Sequence, residues 1–330
     1  MPGVRQEKVR RITIMTTFNE KERIISTAEY AANFWDVMRG NRYAVDKIHD
    51  VKDISTGGYA LPSGSDDKLS KAIRRESLFR NMATVVKAYN GGRIFAKDCD
   101  DLAEWVPENG NIPIYDGMDD FTRYPVEAHK LAVFVKLDDD FVHDATFSIE
   151  DYLTSRLAKN FSKAEDYGFI TGAGDHMPTG VLDPTYGAEV GVHADSITYD
   201  NVVRLFFSLD EEYRKNAVWM MNDETALTLR LLKDEAGNPL WNQTNDTILG
   251  KKVVIAGDMP SEEALESPIV FGDFSYYWII ERGPVSIQTL KEKFVTLDQI
   301  GYLAMEFLDG RLIRRQAVQA LKINATEQNG

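Results

Sequence analysis

The chain has 330 residues, and its 43% hydrophobic and 11% aromatic content is enough for a packed core and excludes a disordered chain. Its 52 acidic and 38 basic residues give a formal net charge of −14, which argues against a dedicated nucleic-acid binder, because phosphate neutralisation needs clustered Lys and Arg. The single cysteine, Cys99, excludes an internal disulfide framework, and no apolar run reaches the ~20 residues of a membrane-spanning helix. We therefore expect a soluble protein of roughly two domains or one large one, made in a reducing compartment.

Residues 1–54 are predicted to form a leader with one short amphipathic helix. Thr17 and Glu20 have the spacing of a capping box at its start. The apolar positions then recur in steps of four and three, at Ile24, Ala28, Ala31, Trp35 and Met38. Two heptads are too few to specify a coiled coil, so docking on a partner helix and docking on the rest of the chain both stay open.

The next hundred residues carry weaker signals. Ser55 to Ser65 is rich in Gly, Ser and Pro, which predicts a linker, and Leu69 to Val86 has the apolar spacing of a helix. Gly91 to Pro125 shows no strong periodicity, although Asn109-Gly110 indicates a turn. A stretch of this length without regular structure is typical of a functional segment.

Ser148 to Ile170 carries the strongest helical signal in the chain. Ser148 is a suitable N-cap, and the acidic Glu150 and Asp151 suit the positive N-terminal end of a helix. Apolar residues recur every four positions, at Ile149, Leu153, Leu157 and Phe161. Such a helix would be about 34 Å long.

Strands and further helices are predicted on both sides of that helix. Leu131 to Leu137 alternates as a strand with one buried face. The predicted elements after the long helix are a helix from Thr198, a strand Val218 to Met221, a helix capped by Asp223, strands Lys252 to Ala256, Ile269 to Phe271 and Tyr276 to Ile280, and a terminal hairpin that turns at Asp309-Gly310 between Tyr302 to Leu308 and Arg311 to Ile323. The predicted fold class is α+β.

Glu104 and Glu108 are the candidates for general acid–base chemistry of the glycosidase kind. Pro107 lies between them in a predicted loop, so the spacing does not place both carboxylates on one helical face. We therefore interpret them as solvated loop acids, and we expect no catalytic site.

Two further motifs resemble ligand sites. The acidic run Asp138, Asp139, Asp140, His143 and Asp144 fits neither an EF-hand loop nor an HExxH site, and it is interpreted as an exposed acidic turn. The glycines Gly172, Gly174 and Gly180 follow a helix and lack the Gly-Lys-Ser/Thr of a P-loop, so they indicate a helix end and a chain reversal. We expect no metal and no cofactor.

The segment Ser148 to Asp183, SIEDYLTSRLAKNFSKAEDYGFITGAGDHMPTGVLD, resembles the major capsid proteins of tailed bacteriophages, with the Hong Kong 97-type shell fold that encapsulins share. A long helix runs into Gly168 to Gly174, and the phrase closes with Pro178 to Leu182, as in that family. Other segments similar to the family follow the same order, at Thr56 to Pro62, Glu104 to Gly110, Leu249 to Val254 and Phe271 to Ser275.

The resemblance implies a domain organisation. The implied parts are a leader, 1–54, open to a scaffold-like role; an N-terminal arm and its following helix, 55–90; an extended β-hairpin loop, 91–128; a peripheral domain of a β-sheet and a spine helix, 129–180 and 284–326 with the helix at 148–170; and an axial domain, 181–283, with a central sheet flanked by helices. The short leader leaves a covalent scaffold, a separate scaffold protein and an uncleaved leader all open.

The resemblance also implies which residues serve assembly. The implied sets are Glu104, Trp105, Glu108, Asn109 and Gly110 in the extended loop that reaches over an adjacent subunit; Gly57, Gly58, Tyr59, Leu61 and Pro62 in the arm laid along neighbours; and Leu153, Leu157 and Phe161 in the core of the spine helix.

The implied function is structural and not enzymatic. The expected protein is a phage major capsid protein that self-assembles through pentamers and hexamers into an icosahedral head enclosing double-stranded DNA, without sequence-specific binding, a cofactor or a membrane. The resemblance implies a portal, scaffold or maturation protease as partners, and assembly in the host cytoplasm into the virion capsid. The alternatives are an encapsulin-type compartment and, more remotely, a carbohydrate-active enzyme that uses Glu104 and Glu108.

Overall fold

The computed structural model describes residues 20–52, 57–88, 93–97, 106–107, 121–144, 146–234, 236–242, 244–262 and 266–324. Helices and strands are both abundant and alternate along the chain, which confirms the predicted α+β class. Within these described ranges no helix is both long enough and apolar enough to cross a membrane.

After the helical residues 20–25, the described helices are, in chain order, α1 Ala28–Met38, α2 Val45–Ile48, α3 Ser63–Glu76, α4 Phe79–Met82, α5 Asp139–His143, α6 Ile149–Thr171, α7 Tyr199–Ser208, α8 Glu211–Arg214 and α9 Asp223–Leu231. Side-chain caps start four of them, because Thr27, Ser148, Thr198 and Asn222 each accept a hydrogen bond from the backbone N–H three residues on. The predicted cap at Asp223 is wrong by one residue, since Asn222 supplies it.

The described strands are β1 Tyr59–Ala60, β2 Thr84–Lys87, β3 Arg93–Lys97, β4 Phe121–Pro125, β5 His129–Asp138, β6 Glu189–Ala194, β7 Val218–Met221, β8 Trp241–Asn242, β9 Thr247–Ile248, β10 Lys251–Ile255, β11 Ile269–Gly272, β12 Tyr277–Glu281, β13 Ser286–Leu290, β14 Gln299–Leu312 and β15 Val318–Ile323. They form a six-stranded sheet, a seven-stranded sheet and a two-stranded ribbon of β3 and β4.

The six-stranded sheet is organised around β14. Its order is β1-β13-β14-β12-β2, and β5 also pairs with β14 in antiparallel register from Gln299 opposite Asp138 to Leu308 opposite His129. Along β5 the inward positions of the predicted strand alternate with exposed ones, and Val135 is buried. The prediction of a strand with one buried face is therefore confirmed.

The long helix α6 packs against this sheet and against α3. It spans Ile149–Thr171, so the predicted helix is confirmed within one residue at each end. Its apolar stripe enters one core cluster with residues of α1, α3 and β14, among them Phe34, Leu69, Ile300 and Tyr302. The apolar stripe thus determines which face of α6 packs into the core.

The chain reverses sharply after α6. The backbone N–H of Gly180 donates to the carbonyl of Gly172 at 2.7 Å, and that of Val181 donates to Phe169 at 2.8 Å. A Cβ on Gly172 would collide with the Pro178 carbonyl, so only glycine permits this close approach. The predicted helix end and chain reversal are confirmed.

The seven-stranded sheet has the order β6-β15-β11-β7-β10-β9-β8. Its core holds Leu205 of α7 and Leu229 of α9 together with Trp219 and Phe271, whose rings stack at 4.1 Å between centroids. The strand predicted at Val218 to Met221 is confirmed, and those predicted at Lys252 to Ala256 and Ile269 to Phe271 are displaced by one residue at most. The strand predicted at Tyr276 to Ile280 is also displaced by one residue and is β12 of the six-stranded sheet.

The predicted terminal hairpin is wrong. Strand β14 runs straight through Asp309 and Gly310, and the Asp309 carboxylate is buried and accepts from the backbone N–H groups of Gly310 and Glu127. A Cβ on Gly310 would lie 2.6 Å from the Tyr277 hydroxyl and 3.0 Å from the Phe169 ring, so glycine serves close packing here and not a turn. Strand β15 then joins the other sheet, between β6 and β11.

The predicted leader helix is interrupted. Residues 20–25 are helical, Thr27 then caps α1, and the predicted cap at Thr17 lies outside the described residues. Of the predicted stripe, Trp35 and Met38 are buried and Ala28 is exposed. The buried face of α1 also carries Tyr30 and Phe34, which the stripe did not include. The helix docks on its own chain, which was one of the two open alternatives.

The linker and helix predicted for residues 55–86 are also corrected. Residues 59–60 form strand β1, and α3 already begins at Ser63 and ends at Glu76. Residues 84–87 form strand β2, which pairs in parallel with β12. Pairing with distant strands therefore overrides the local helical spacing.

Candidate functional site

A buried ionic junction joins the arm region to α6 and to the six-stranded sheet. Arg80 of α4 donates from Nε and Nη2 to the two carboxylate oxygens of Glu165, at 2.7 and 2.6 Å, and from Nη1 to Glu281 at 2.6 Å. Arg80 is 4% exposed and Glu165 is 2% exposed. A bidentate guanidinium–carboxylate pair in such a place fixes both position and orientation.

Glu306 of β14 adds a third carboxyl group to this junction. Its burial raises its pKa well above the ordinary value, and the nearby Glu165 charge raises it further. The direction of this pKa shift favours the protonated form of the Glu306 carboxyl, which can donate a hydrogen bond to Glu165. The guanidinium of Arg80 thus lies among three carboxyl groups, and burial favours a proton on Glu306.

Asp166 stabilises the sharp bend between α3 and α4. Its carboxylate accepts from the Ser77 hydroxyl at 2.7 Å and from the backbone N–H groups of Leu78 and Phe79 at 2.8 and 3.1 Å. Burial raises the pKa of Asp166, while these hydrogen bonds act in the opposite direction. Glu165 and Asp166 together connect residues 77–80 to α6 through hydrogen bonds.

Asp66 of α3 lies at the edge of the same junction. Burial raises the pKa of its carboxyl from 3.8 to about 6, and the Glu281 charge contributes in the same direction. Unfolding returns the carboxyl to its ordinary value, so between about pH 4 and pH 6 unfolding releases a proton. This group therefore makes the fold less stable as the pH rises through that window.

We expect Asp66→Asn to remove this part of the pH dependence. The variant should match the wild type at low pH and be the more stable of the two at pH 7, because its amide has no charge to desolvate. Urea unfolding of unassembled subunits at a series of pH values measures the difference. The exposed neighbour Asp67 offers the control Asp67→Asn, which should keep the wild-type slope; identical slopes in all three proteins would contradict the assignment.

The predicted arm residues lie on the chain's own sheet. Tyr59 pairs with Ile287 of β13, and the backbone N–H of Leu61 donates to the Val285 carbonyl at 2.8 Å. Gly57 has a φ of +69°, a left-handed conformation that favours glycine. Within the described residues 57–62, Tyr59–Ala60 thus forms a short edge strand against β13, and Pro62 lies directly before α3.

The predicted extended-loop residues Glu104, Trp105, Glu108, Asn109 and Gly110 lie outside the described residues. The structure does describe the base of that segment, the ribbon of β3 and β4, in register from Arg93 opposite Pro125 to Lys97 opposite Phe121. Ile94 packs against Val126 and Ile280, and the Tyr124 hydroxyl donates to the Ile313 carbonyl at 2.9 Å. Both contacts anchor the ribbon to the body of the subunit.

The acidic run at 138–144 is an exposed helical turn. Lys291 Nζ lies 3.4 Å from Asp139, and Gln299 donates to Asp138 at 3.0 Å. Hydrogen bonds from the Thr146 hydroxyl and backbone N–H lower the pKa of Asp144. In the part of the chain that the structure describes, no group of three or more His, Cys, Asp or Glu side chains could hold a metal ion.

The spine-helix residues Leu153, Leu157 and Phe161 are each 1–2% exposed in the main core. The residues that sequence reasoning missed are the polar ones of the junction, above all Arg80 and Glu165. Glu165 lies four positions after Phe161 and so continues the buried stripe. A charged residue at a buried position indicates a buried partner, and this pattern in the sequence could have pointed to the junction.

Comparison with known proteins identifies the architecture. The sequence matches the model of the phage capsid family over residues 57–323. The structure is similar to the capsid of an empty GTA particle, with 29% identity and a TM-score of 0.62 over 76% of this chain and 90% of that chain. It is also similar to the capsid of the native GTA particle, with 28% identity and a TM-score of 0.56 over 75% and 90% of the two chains.

A more distant structure, from Microbacterium phage Oxtober96, shares the fold at 15% identity, with a TM-score of 0.52 over 76% of this chain and 91% of that chain. No curated protein matches the sequence. The family match covers well over half of the chain, and the resemblance stated from the sequence is confirmed. This protein belongs to the phage capsid family and is a structural protein of a capsid shell.

Proposed function

We propose that the chain is the major capsid protein of a tailed double-stranded DNA phage and self-assembles through pentamers and hexamers into the icosahedral head. The observation that carries the proposal is the family match over residues 57–323, together with the similarity to two GTA capsids across 90% of their chains. An interface that repeats between identical copies closes a shell through symmetry and requires no covalent chemistry.

The domain division remains part of this proposal. The peripheral domain comprises 129–180 and 284–326 around α6, and the axial domain comprises 181–283 around the seven-stranded sheet. Strand pairing refines the boundary, because β12 belongs to the six-stranded sheet and β15 to the seven-stranded sheet. We therefore assign β12 to the peripheral domain and β15 to the axial one.

In this proposal, the extended loop extends over the adjacent subunit and contacts it. Within the described residues, β3 and β4 pair with each other and with no strand of either sheet. Phe95 and Phe121 on this ribbon are 55% and 49% exposed. Aromatic side chains exposed on an isolated ribbon are typical of a surface that another chain covers.

We place the protein in the virion capsid, after assembly in the host cytoplasm with a portal, a scaffold or a maturation protease. The net charge of −14 supports a shell that encloses DNA without holding it tightly, since clustered cations would be needed for tight binding. No sequence-specific DNA contact and no enzymatic step belong to this proposal.

Purification of the full chain, followed by negative-stain microscopy, tests the proposal. We expect closed particles with five-fold and six-fold capsomers, and DNA protected from nuclease in particles isolated from a phage-producing host. A strictly monomeric protein at high concentration would overturn the shell function. Particles filled with an enzyme instead of a genome would favour the encapsulin alternative.

We expect Trp105→Ala to reduce the yield of closed particles by about tenfold or more, because buried tryptophan is a frequent energetic centre of protein interfaces. The subunit should keep its unfolding temperature, since in this proposal the loop tip contacts the neighbouring subunit. The control is Tyr43→Ala, because Tyr43 lies outside the loop and its side chain is 89% exposed. A normal particle yield from Trp105→Ala would remove the loop tip from the interface.

A further inference from the structure

The segment that precedes the family-matched region is folded into the core of the subunit. The family match begins at residue 57, yet Phe34 and Met38 of α1 are completely buried, and Ile48 of α2 is 1% exposed. These side chains belong to the same core cluster as Leu153 of α6. Residues 25–52 therefore form an N-terminal module that precedes the family-matched region and packs into the same core.

Two hydrogen bonds tie this module to the six-stranded sheet. The Tyr302 hydroxyl of β14 donates to the backbone carbonyl of Met38 at 2.9 Å, and both groups are buried. The Tyr30 hydroxyl donates to the carbonyl of Ala60, in β1, at 2.6 Å. Loss of the module would leave the Tyr302 hydroxyl without this acceptor and would uncover apolar surface of the core, and both changes are unfavourable.

We propose that residues 25–52 stay in the assembled particle as a permanent part of the subunit, and that any proteolytic shortening of the chain ends before residue 25. Proteases cut segments whose local unfolding costs little free energy. The helices of this module are buried, so their local unfolding costs much more. The sequence leaves a covalent scaffold, a separate scaffold protein and an uncleaved leader open. For residues 25–52, this proposal selects the uncleaved leader. It rests on the proposed assembly into particles.

The N-terminus of the subunit in finished particles tests the proposal directly. Particles should be purified from a host that supplies every partner protein, and the subunit should be examined by intact mass and N-terminal sequencing. We expect a chain that starts at or before Ile25. A subunit that starts at any residue after Ile25 would overturn the proposal while leaving the shell function intact.

Limited proteolysis of the full unassembled chain gives a second test that requires no particles. We expect no early cleavage between residues 25 and 52 in the wild type. Phe34→Ala should accelerate cleavage there by about tenfold or more, because the cavity lowers the cost of local opening. Tyr43→Ala, in the same module but 89% exposed, should leave the rate unchanged. Early cleavage of this segment in the wild type would contradict the proposal.

Discussion

Arg80→Ala is expected to destabilise the subunit by about 3–5 kcal/mol, measured as the free energy of unfolding in urea. The guanidinium makes three hydrogen bonds of 2.6–2.7 Å to Glu165 and Glu281, and it is 4% exposed. Its removal leaves the Glu165 carboxylate buried without its cation. The cost comes mainly from that stranded charge and not from the net value of the ion pair.

Two further variants separate this mechanism from a general effect of mutation. Arg75→Ala, which removes a side chain that is 78% exposed near the end of α3, should change the unfolding free energy by under about 0.5 kcal/mol. Glu306→Gln should also be mild, because burial raises the pKa of the Glu306 carboxyl and so favours its neutral form, which Gln resembles. Equal costs for Arg80→Ala and Arg75→Ala would show that the junction does not stabilise the fold.

The junction also shows why part of the fold could be predicted from sequence and part could not. Helix α6 follows from its cap and its apolar period, which are local properties. Its charged residue Glu165 finds Arg80, a partner 85 positions away in the sequence. Periodicity carries no information about such a pair, so the elements could be predicted while the group that joins them could not.

The wrong terminal hairpin has a similar origin. An Asp-Gly pair is a strong turn signal when the backbone needs a left-handed residue. Here Gly310 is required because the Tyr277 hydroxyl and the Phe169 ring lie against the strand, and Asp309 is held by backbone N–H groups. Both reasons are tertiary contacts. The same residue pair therefore serves a turn in one context and a continuous strand in another.

For the candidate assembly residues, too, one property could be predicted from the sequence and another could not. The segment order that resembles the capsid family could be recognised in the sequence, and the family match bears it out. Where Tyr59 would pair could not be predicted, because a two-residue strand has no register signal of its own. Its partner Ile287 in β13 emerges from the folded sheet.

The apolar stripe of α6 supports the second large expected effect. Phe161→Ala should destabilise the subunit by about 3–5 kcal/mol, since the ring is 1% exposed in a core shared by α1, α3, α6 and β14. The surrounding side chains come from four separate elements and cannot all move to fill the space. We expect a lower unfolding temperature and fewer closed particles from the same amount of protein.

Tyr167→Ala provides the matched control for that variant. Tyr167 lies on the same helix, six residues further on, and is 50% exposed. It should keep nearly the wild-type unfolding temperature, because an exposed ring contributes little to the free energy of folding. If Tyr167→Ala reduces particle yield while the subunit stays stable, that exposed face of α6 contacts another subunit. If Phe161→Ala is as stable as Tyr167→Ala, the stripe is not the core of the spine helix.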